Sequence, residues 1–337
     1  MYFPDGFKFP ETIKEIGERA FYNMNSYSQI ADFPATLTQI DEAAFCNSII
    51  VIDKLPYNLK EIADSVFYGC RIMTNLNIPS SVKKVGNHAF QNCMGTGNGG
   101  IIVINEGVEY LGDYAFANIY MRGDITIPGS VKTIGEYCFG DCEYLDGKLT
   151  LNDGLKEIKN RAFYNSRLKG NLYLPQTLTT IGDSAFTNCN NLSGKVVIPS
   201  SLVSIGNYAL FNCNQLTDLD MSQANHLDKI GISAFESCTG FRGDLSFPAQ
   251  ITTIARGAFK KSGFDGVLIL PDNMSLIEQE TFMQCAFQKA ILPSNLIQIG
   301  DNAFYYCENL KECQLPSSIK FNCLSTISKL IFEYPYV

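Results

Sequence analysis

The chain has 337 residues, of which 46% are hydrophobic and 18% are charged, a balance typical of a globular protein. Its formal net charge of −8 argues against nucleic acid or an anionic lipid surface as a partner. No apolar run approaches the roughly 20 residues that a membrane-spanning helix needs. The first five residues lack the basic and apolar regions of a secretory signal, so we expect either a cytoplasmic protein or a chain whose leader is missing.

An internal repeat organises the sequence from end to end. The copies share a pair such as Ala185-Phe186, with Leu210 in place of the Phe in one copy, and aligning on this position gives thirteen copies spaced 22 to 26 residues apart. The aligned residues are Phe21, Phe45, Phe67, Phe90, Phe116, Phe139, Phe163, Phe186, Leu210, Phe235, Phe259, Phe282 and Phe304. Repeats of this length each need their neighbours to bury a core, which predicts one elongated domain over 1–337.

Each copy combines a strand, a turn that holds Pro in ten of the thirteen copies, and a turn at the Phe. The residues before the Pro alternate, as in Leu172-Tyr173-Leu174, which predicts strands that pair in parallel with the next copy. The residues five and eight before the Phe are aliphatic in every copy, so we expect them and the Phe in a shared core. The Ala-Phe segment predicts no more than one or two helical turns.

Glycines precede several of these strands at a constant offset. We expect them to allow either a positive φ or a close approach between copies. The glycines are Gly123, Gly147, Gly170, Gly194, Gly243 and Gly266.

The unit L-x-x-I-G-x-x-A-F-x-x-C-x-x-L…I-P resembles the BspA-like, Treponema-type leucine-rich repeats, with regular copies over 9–316 and a degenerate coil over 317–337. The resemblance implies an α/β fold: a right-handed curved solenoid with a parallel β-sheet on its concave side. Turns, short strands or short helical turns would form the convex side. Proteins of this family are typically surface proteins that bind host, matrix or cell-surface proteins.

The cysteines favour a buried thiol row over a metal or disulfide site. Eight of the twelve occupy one slot, three residues after the Phe, which other copies fill with Met, Ser or Ile. The sequence has no C-x-x-C pair and only two histidines, His88 and His226, which argues against zinc. Cysteines of adjacent copies, such as Cys189 and Cys213, would lie close enough for a disulfide, but parallel side chains disfavour the geometry.

Catalytic chemistry finds no support in the sequence. Neither histidine has an obvious partner that would orient it as a base, and the glycine-rich segment 94–100 lacks the Lys-Ser/Thr of a phosphate loop. The sequence therefore predicts a protein that is not an enzyme and that needs no cofactor.

The outward residues of the strands are the candidate binding site. They mix polar, charged and apolar side chains, which suits a protein or glycoprotein partner. The residues that we expect to bind are Lys148, Thr150, Asn171, Tyr173, Lys195 and Val197. We expect a recognition or adhesion module outside the cell or on its surface. The alternative is a structural spacer within a larger surface protein, and the oligomeric state stays open.

Overall fold

A computed structural model describes residues 8–24, 28–30, 33–52, 54–72, 75–95 and 100–319. The chain falls into two compact units, Met1–Gly170 and Asn171–Val337. Each unit is a stack of coils whose strands pair in parallel. From residue 320 onward, the expected degenerate coil lies outside the described residues, as do residues 96–99 of the glycine-rich segment.

In the first unit, three series of strands run along the stack. The post-proline strands are β1 (Glu15–Ile16), β3 (Gln39–Ile40), β5 (Glu61–Ile62), β8 (Lys84–Val85), β11 (Tyr110–Leu111), β13 (Thr133–Ile134) and β15 (Glu157–Ile158). The pre-proline strands are β7 (Leu76–Ile78), β10 (Ile102–Ile104), β12 (Ile125–Ile127) and β14 (Leu149–Leu151). The post-cysteine strands are β2 (Ser28–Ile30), β4 (Ile50–Ile52), β6 (Arg71–Ile72) and β9 (Met94–Gly95). The short strand β16 (Gly170–Asn171) ends this unit and begins the next.

The second unit repeats the first two series. Its post-proline strands are β17 (Thr180–Ile181), β19 (Ser204–Ile205), β21 (Lys229–Ile230), β23 (Thr253–Ile254), β25 (Leu276–Ile277) and β27 (Gln298–Ile299). Its pre-proline strands are β18 (Leu192–Val197), β20 (Gln215–Asp220), β22 (Leu245–Ser246), β24 (Val267–Ile269), β26 (Lys289–Ile291) and β28 (Glu312–Cys313).

The repeated apolar residues form the core, as the sequence predicts. In one copy, the Phe slot holds Phe139, and the aliphatic residues five and eight positions before it are Ile134 and Val131. All three side chains are 0% exposed. In the first unit the Phe rings stack from coil to coil, with Phe139 5.1 Å from Phe116 and 5.4 Å from Phe163 between ring centroids. The aromatic column therefore runs along the coils parallel to the strand ladders.

The α/β description is wrong, because the described residues contain no helix. In the Ala-Phe segment, three backbone N–H groups donate to carbonyl oxygens of the next coil. They belong to the Phe itself, to the residue two positions before it and to the residue two positions after it. In one copy these bonds run from Tyr114, Phe116 and Asn118. The intervening amides donate three residues back, as Ala117 does to the Tyr114 carbonyl at 3.1 Å. Because alternate amides leave the segment for the neighbouring coil, an α-helical ladder does not form.

The glycine slots show both expected behaviours. Gly123 has a φ of 88°, in the left-handed region that side chains disfavour. At Gly147 an added Cβ would lie 2.1 Å from the Gly123 carbonyl carbon, so a side chain there would push the two coils apart.

Candidate binding face

The pre-proline strands place their side chains alternately in the core and in solvent. In β12 and β14, Ile127 and Leu151 are buried, whereas Thr126 is exposed and Thr150 is half-buried. The two threonines lie opposite each other in the parallel register. The predicted outward direction of these slots is therefore confirmed by the burial pattern.

The first unit carries two of the six predicted binding residues, Lys148 and Thr150. Lys148 is exposed, and its backbone N–H donates to Asp124 Oδ1 at 2.7 Å. An added Cβ at Gly170 would lie 3.3 Å from Lys148 Cγ, so the Lys stem lies alongside this glycine. The hydrogen bond to Asp124 and the contact with Gly170 thus fix the position of the first part of the Lys148 side chain.

The other four residues lie in the second unit. Tyr173 is 62% exposed, and its hydroxyl accepts a hydrogen bond from Asn171 Nδ2 at 3.0 Å. Val197, at the end of β18, is 38% exposed. The Asn171 contact holds an exposed aromatic ring in place, which lowers the entropy that a binding partner would have to remove.

Lys195 belongs to an ion network on the same strand face. Its Nζ lies 2.9 Å from Asp220 Oδ2 and 3.4 Å from Asp218 Oδ2. The backbone N–H and hydroxyl of Ser222, together with Lys195, lower the pKa of Asp220 to about 2, and the Asp220 hydrogen bond is the main cause of a raised pKa at Lys195. Asp220 and Lys195 are therefore both charged at neutral pH.

An irregularity in the ladder sits beside this network. Between β18 and β20 the register shifts at Gly194 and Lys195, so that Lys195 lies opposite Asp218 and Val197 opposite Asp220. A bulge of this kind redirects the side chains that follow it. Here it brings both aspartates of β20 within reach of one lysine.

The repeated cysteines are buried thiols with a backbone partner. Cys142 Sγ donates to the carbonyl of Phe116, in the preceding coil, at 3.2 Å, and Cys238 donates to that of Leu210 at the same distance. Ser48, in the same slot, makes the equivalent bond to Phe21. The slot is thus a buried donor site as well as the packing site that the sequence predicts.

The cysteines of the described residues are all free, and these residues contain no group of acidic, His and Cys side chains placed to hold a metal ion. His88 stacks on Tyr114, with 5.0 Å between ring centroids, and its Nδ1 lies 2.6 Å from Gln91 Oε1. His226 Nδ1 lies 2.7 Å from the carbonyl oxygen of Ser200.

Sequence reasoning missed that each described coil turns through left-handed residues on both sides of the Phe. Tyr114 has a φ of 58° and Asn118 a φ of 52°, two residues before and after Phe116. Asn118 Nδ2 also donates to Asn92 Oδ1, one coil away, at 2.8 Å. Asn fills the later slot in seven copies, and this enrichment was the available signal, because Asn tolerates the left-handed region.

In the part of the chain that the structure describes, no helix is long and apolar enough to cross a membrane. The search of the curated proteins returned no match to this chain.

The solved structures similar to this chain include leucine-rich-repeat proteins. One from Bacteroides ovatus is 24% identical, with 98% of this chain and 89% of that chain covered and a TM-score of 0.49. One from Eubacterium ventriosum is 21% identical, with 90% and 82% covered and a TM-score of 0.47. The pneumococcal vaccine antigen PcpA is 18% identical, with 81% and 83% covered and a TM-score of 0.41.

The family profile described as the BspA type leucine rich repeat region (6 copies) matches residues 5–96, 95–193, 156–285 and 229–334. These ranges include nearly the whole sequence, and the repeated Phe, Cys and aliphatic slots within them form the core described above. The chain belongs to the BspA-type leucine-rich-repeat family.

Proposed function

We propose that this protein is a non-enzymatic recognition module that binds a protein or glycoprotein through the outward face of its pre-proline strands. The observation that carries the proposal is the contrast between the two faces of these strands. Inward slots hold buried aliphatic side chains in copy after copy, whereas outward slots change from Thr150 to Tyr173 to Val197. A constant core that displays varied side chains is suited to recognition.

We assign binding roles to each unit by itself: to Lys148 and Thr150 on the strand face of the first unit, and to Asn171, Tyr173, Lys195 and Val197 on the strand face of the second. Tyr173 is the expected anchor, because exposed aromatic residues with a restricted side chain dominate many protein interfaces. Lys195 is the expected specificity determinant, since its two aspartate partners fix its position. Leucine-rich-repeat proteins of this family are generally interaction or surface modules, which supports display at a cell surface.

Binding to immobilised host-cell and extracellular-matrix proteins tests the proposal. We expect Tyr173→Ala to weaken capture by about 30-fold, the effect of losing roughly 2 kcal/mol at an interface anchor. The matched control is Tyr57→Ala, since Tyr57 is 64% exposed but lies in a proline turn. Both variants should melt like the parent.

Two results would reject parts of the proposal. Unchanged capture after replacement of all six residues would reject the site. Consistent failure of the parent protein to capture any partner would favour the spacer, in which the repeats only hold other domains apart.

A further inference from the structure

A second surface of the first unit carries exposed apolar side chains on successive coils. The surface consists of Met94, Ile101, Tyr120 and Tyr144, which follow the cysteine slots of three coils, and it is flanked by Arg71 and Arg167; we call it the post-cysteine column. Met94, Tyr120 and Tyr144 are 48%, 37% and 44% exposed, and Ile101 beside them is 43% exposed. These four are most of the large exposed hydrophobic residues described in this unit, so the column is a cluster and not a scatter of single residues.

Backbone and ring contacts fix the column in place. Met94 and Tyr120 are joined by a parallel bridge, and the Tyr120 and Tyr144 rings lie 5.1 Å apart between centroids. Ile101 lies over Gly123, where an added Cβ would be 2.9 Å from Ile101 Cγ2. Because the side chains are already arranged, little conformational entropy would be lost on binding.

The equivalent segments of the second unit are more polar. Asn190, Asn214 and Thr239 occupy the corresponding turns after the Phe slots of three of its coils. Apolar residues at this position are therefore not required by the coil itself. Their presence in the first unit is therefore better explained by contact with a partner than by packing of the core.

The charged side chains around the column indicate the kind of partner that it would bind. Five basic and three acidic side chains, all exposed, lie between the cysteine slots and the pre-proline strands of these coils: Arg71, Arg122, Lys148, Arg167, Lys169, Asp124, Glu143 and Asp146. Arg122 and Asp146 form an ion pair, with 3.8 Å between Nη1 and Oδ2. In a chain with a net charge of −8, this local excess of positive charge is complementary to an acidic ligand.

We propose that the post-cysteine column binds an extended acidic peptide segment whose apolar side chains pack on Met94, Tyr120 and Tyr144. The basic residues at its two ends would pair with the carboxylates of that segment. From Arg71 to Arg167 the column crosses four coil steps of about 4.8 Å, or about 19 Å, a length that about six extended residues span. Aromatic and Arg side chains together are the composition enriched at protein interfaces.

Two synthetic peptides of about eight residues test the proposal by fluorescence anisotropy. One alternates Phe, Leu and Tyr with Asp and Glu, and the other carries Lys at every acidic position. We expect the acidic peptide to bind at least about ten-fold more tightly than its Lys counterpart, with an affinity that falls as salt is added. Dextran sulfate, a polyanion without apolar side chains, serves as the competing ligand.

Variants separate the two contributions. Tyr120→Ser with Tyr144→Ser should weaken the acidic peptide by at least about ten-fold, and Arg71→Glu should weaken it and reduce its salt dependence. The control is Tyr22→Ser with Tyr57→Ser, which removes two exposed tyrosines outside the column and should change affinity by less than about two-fold. Thermal melts establish that each variant is folded.

Equal binding of the two peptides would overturn the proposal, as would an equal loss in the control pair. A third result would be that dextran sulfate displaces the peptide and also binds the Tyr120→Ser, Tyr144→Ser variant as tightly as it binds the parent. That result would overturn the proposal, because it would show a surface that binds any polyanion. Tyr173→Ala should leave peptide binding unchanged, so that a failure here is distinguishable from a failure of the proposed recognition face.

Discussion

Replacement of Phe139 by Ala tests the stacked core most severely. The ring is 0% exposed and lies between Phe116 and Phe163, at 5.1 and 5.4 Å. Truncation of a packed Phe typically costs about 3–5 kcal/mol in total, and Phe139 should fall in the upper part of that range because it loses two ring pairs, each worth about 0.5–1.5 kcal/mol. We therefore expect a loss of about 4–5 kcal/mol in the free energy of unfolding.

Phe139→Leu is the matched control, because Leu210 fills the same slot in the second unit and is itself 0% exposed. It keeps most of the volume and loses only the ring stacking, so its cost should be about 1–2 kcal/mol. Urea unfolding followed by circular dichroism measures both variants. Hydrogen exchange should show the loss of protection concentrated in the coils of Phe116 and Phe163, since each coil contacts its neighbours.

A Phe139→Ala protein that unfolds within about 1 kcal/mol of the parent would refute the reasoning, because such a small cost is incompatible with a buried ring. Loss of protection spread evenly over the chain would contradict the nearest-neighbour coupling of the coils.

Three further predictions concern single sites. Burial raises the pKa of the Cys142 thiol to about 12, so iodoacetamide at pH 8 should modify it only after unfolding, as peptide mapping would show; rapid native labelling would place it in solvent. Asp220, with a pKa lowered to about 2, should contribute about 1 kcal/mol above about pH 4, a contribution lost as the pH falls to about 2. Asp220→Asn should therefore flatten the acid limb of the stability curve, and an unchanged limb would contradict the hydrogen bonds of Asp220 with Ser222 and Lys195. Asn118→Ala should cost about 1–2 kcal/mol in urea unfolding, whereas Asn118→Gly should cost less, because Gly69 fills this slot naturally; the reverse order would contradict the left-handed geometry.

The sequence was sufficient to predict the repeat, the core and the outward strand positions. Alternation before each Pro distinguishes Leu172 and Leu174 from Tyr173, because a side chain that repeats as aliphatic in copy after copy must be buried. The same logic correctly placed Cys142 inside. The hydrogen bond from Cys142 to the Phe116 carbonyl could not be predicted from the sequence. Cys and Ser share this slot because both can donate to a backbone carbonyl, and burial alone does not reveal that.

The turn at the Phe could be predicted only in part. Asn at the later left-handed position is a usable signal, as in Asn118, but the earlier position accepts Tyr114, His88 and Glu280 and has no compositional mark. Its conformation is set by an amide that donates to the next coil, which is a long-range contact. The helical turns that the sequence allowed are absent from the described residues for the same reason, and turns take their place.

For the candidate site, the sequence predicts which side chains point outward, but not how those side chains are placed relative to one another. The outward slots of Lys195 and Val197 follow from alternation, but the register shift that brings Asp218 and Asp220 to Lys195 depends on one extra residue in β20. The post-cysteine column, which includes Tyr120 and Tyr144, was not predicted from the sequence, because the residue types at these positions differ from copy to copy. Only the stacking of coils brings those residues together.

Site-specific photo-crosslinking tests the recognition face most directly. A photoreactive amino acid would replace Tyr173 or Val197 on the face, or the control residues Tyr57 and Ile297, which are 64% and 49% exposed and lie outside it. Incubated with the same host and matrix proteins, the face positions should crosslink to one shared partner and the controls should not. Equal crosslinking from all four positions, or crosslinking from the controls alone, would contradict the account.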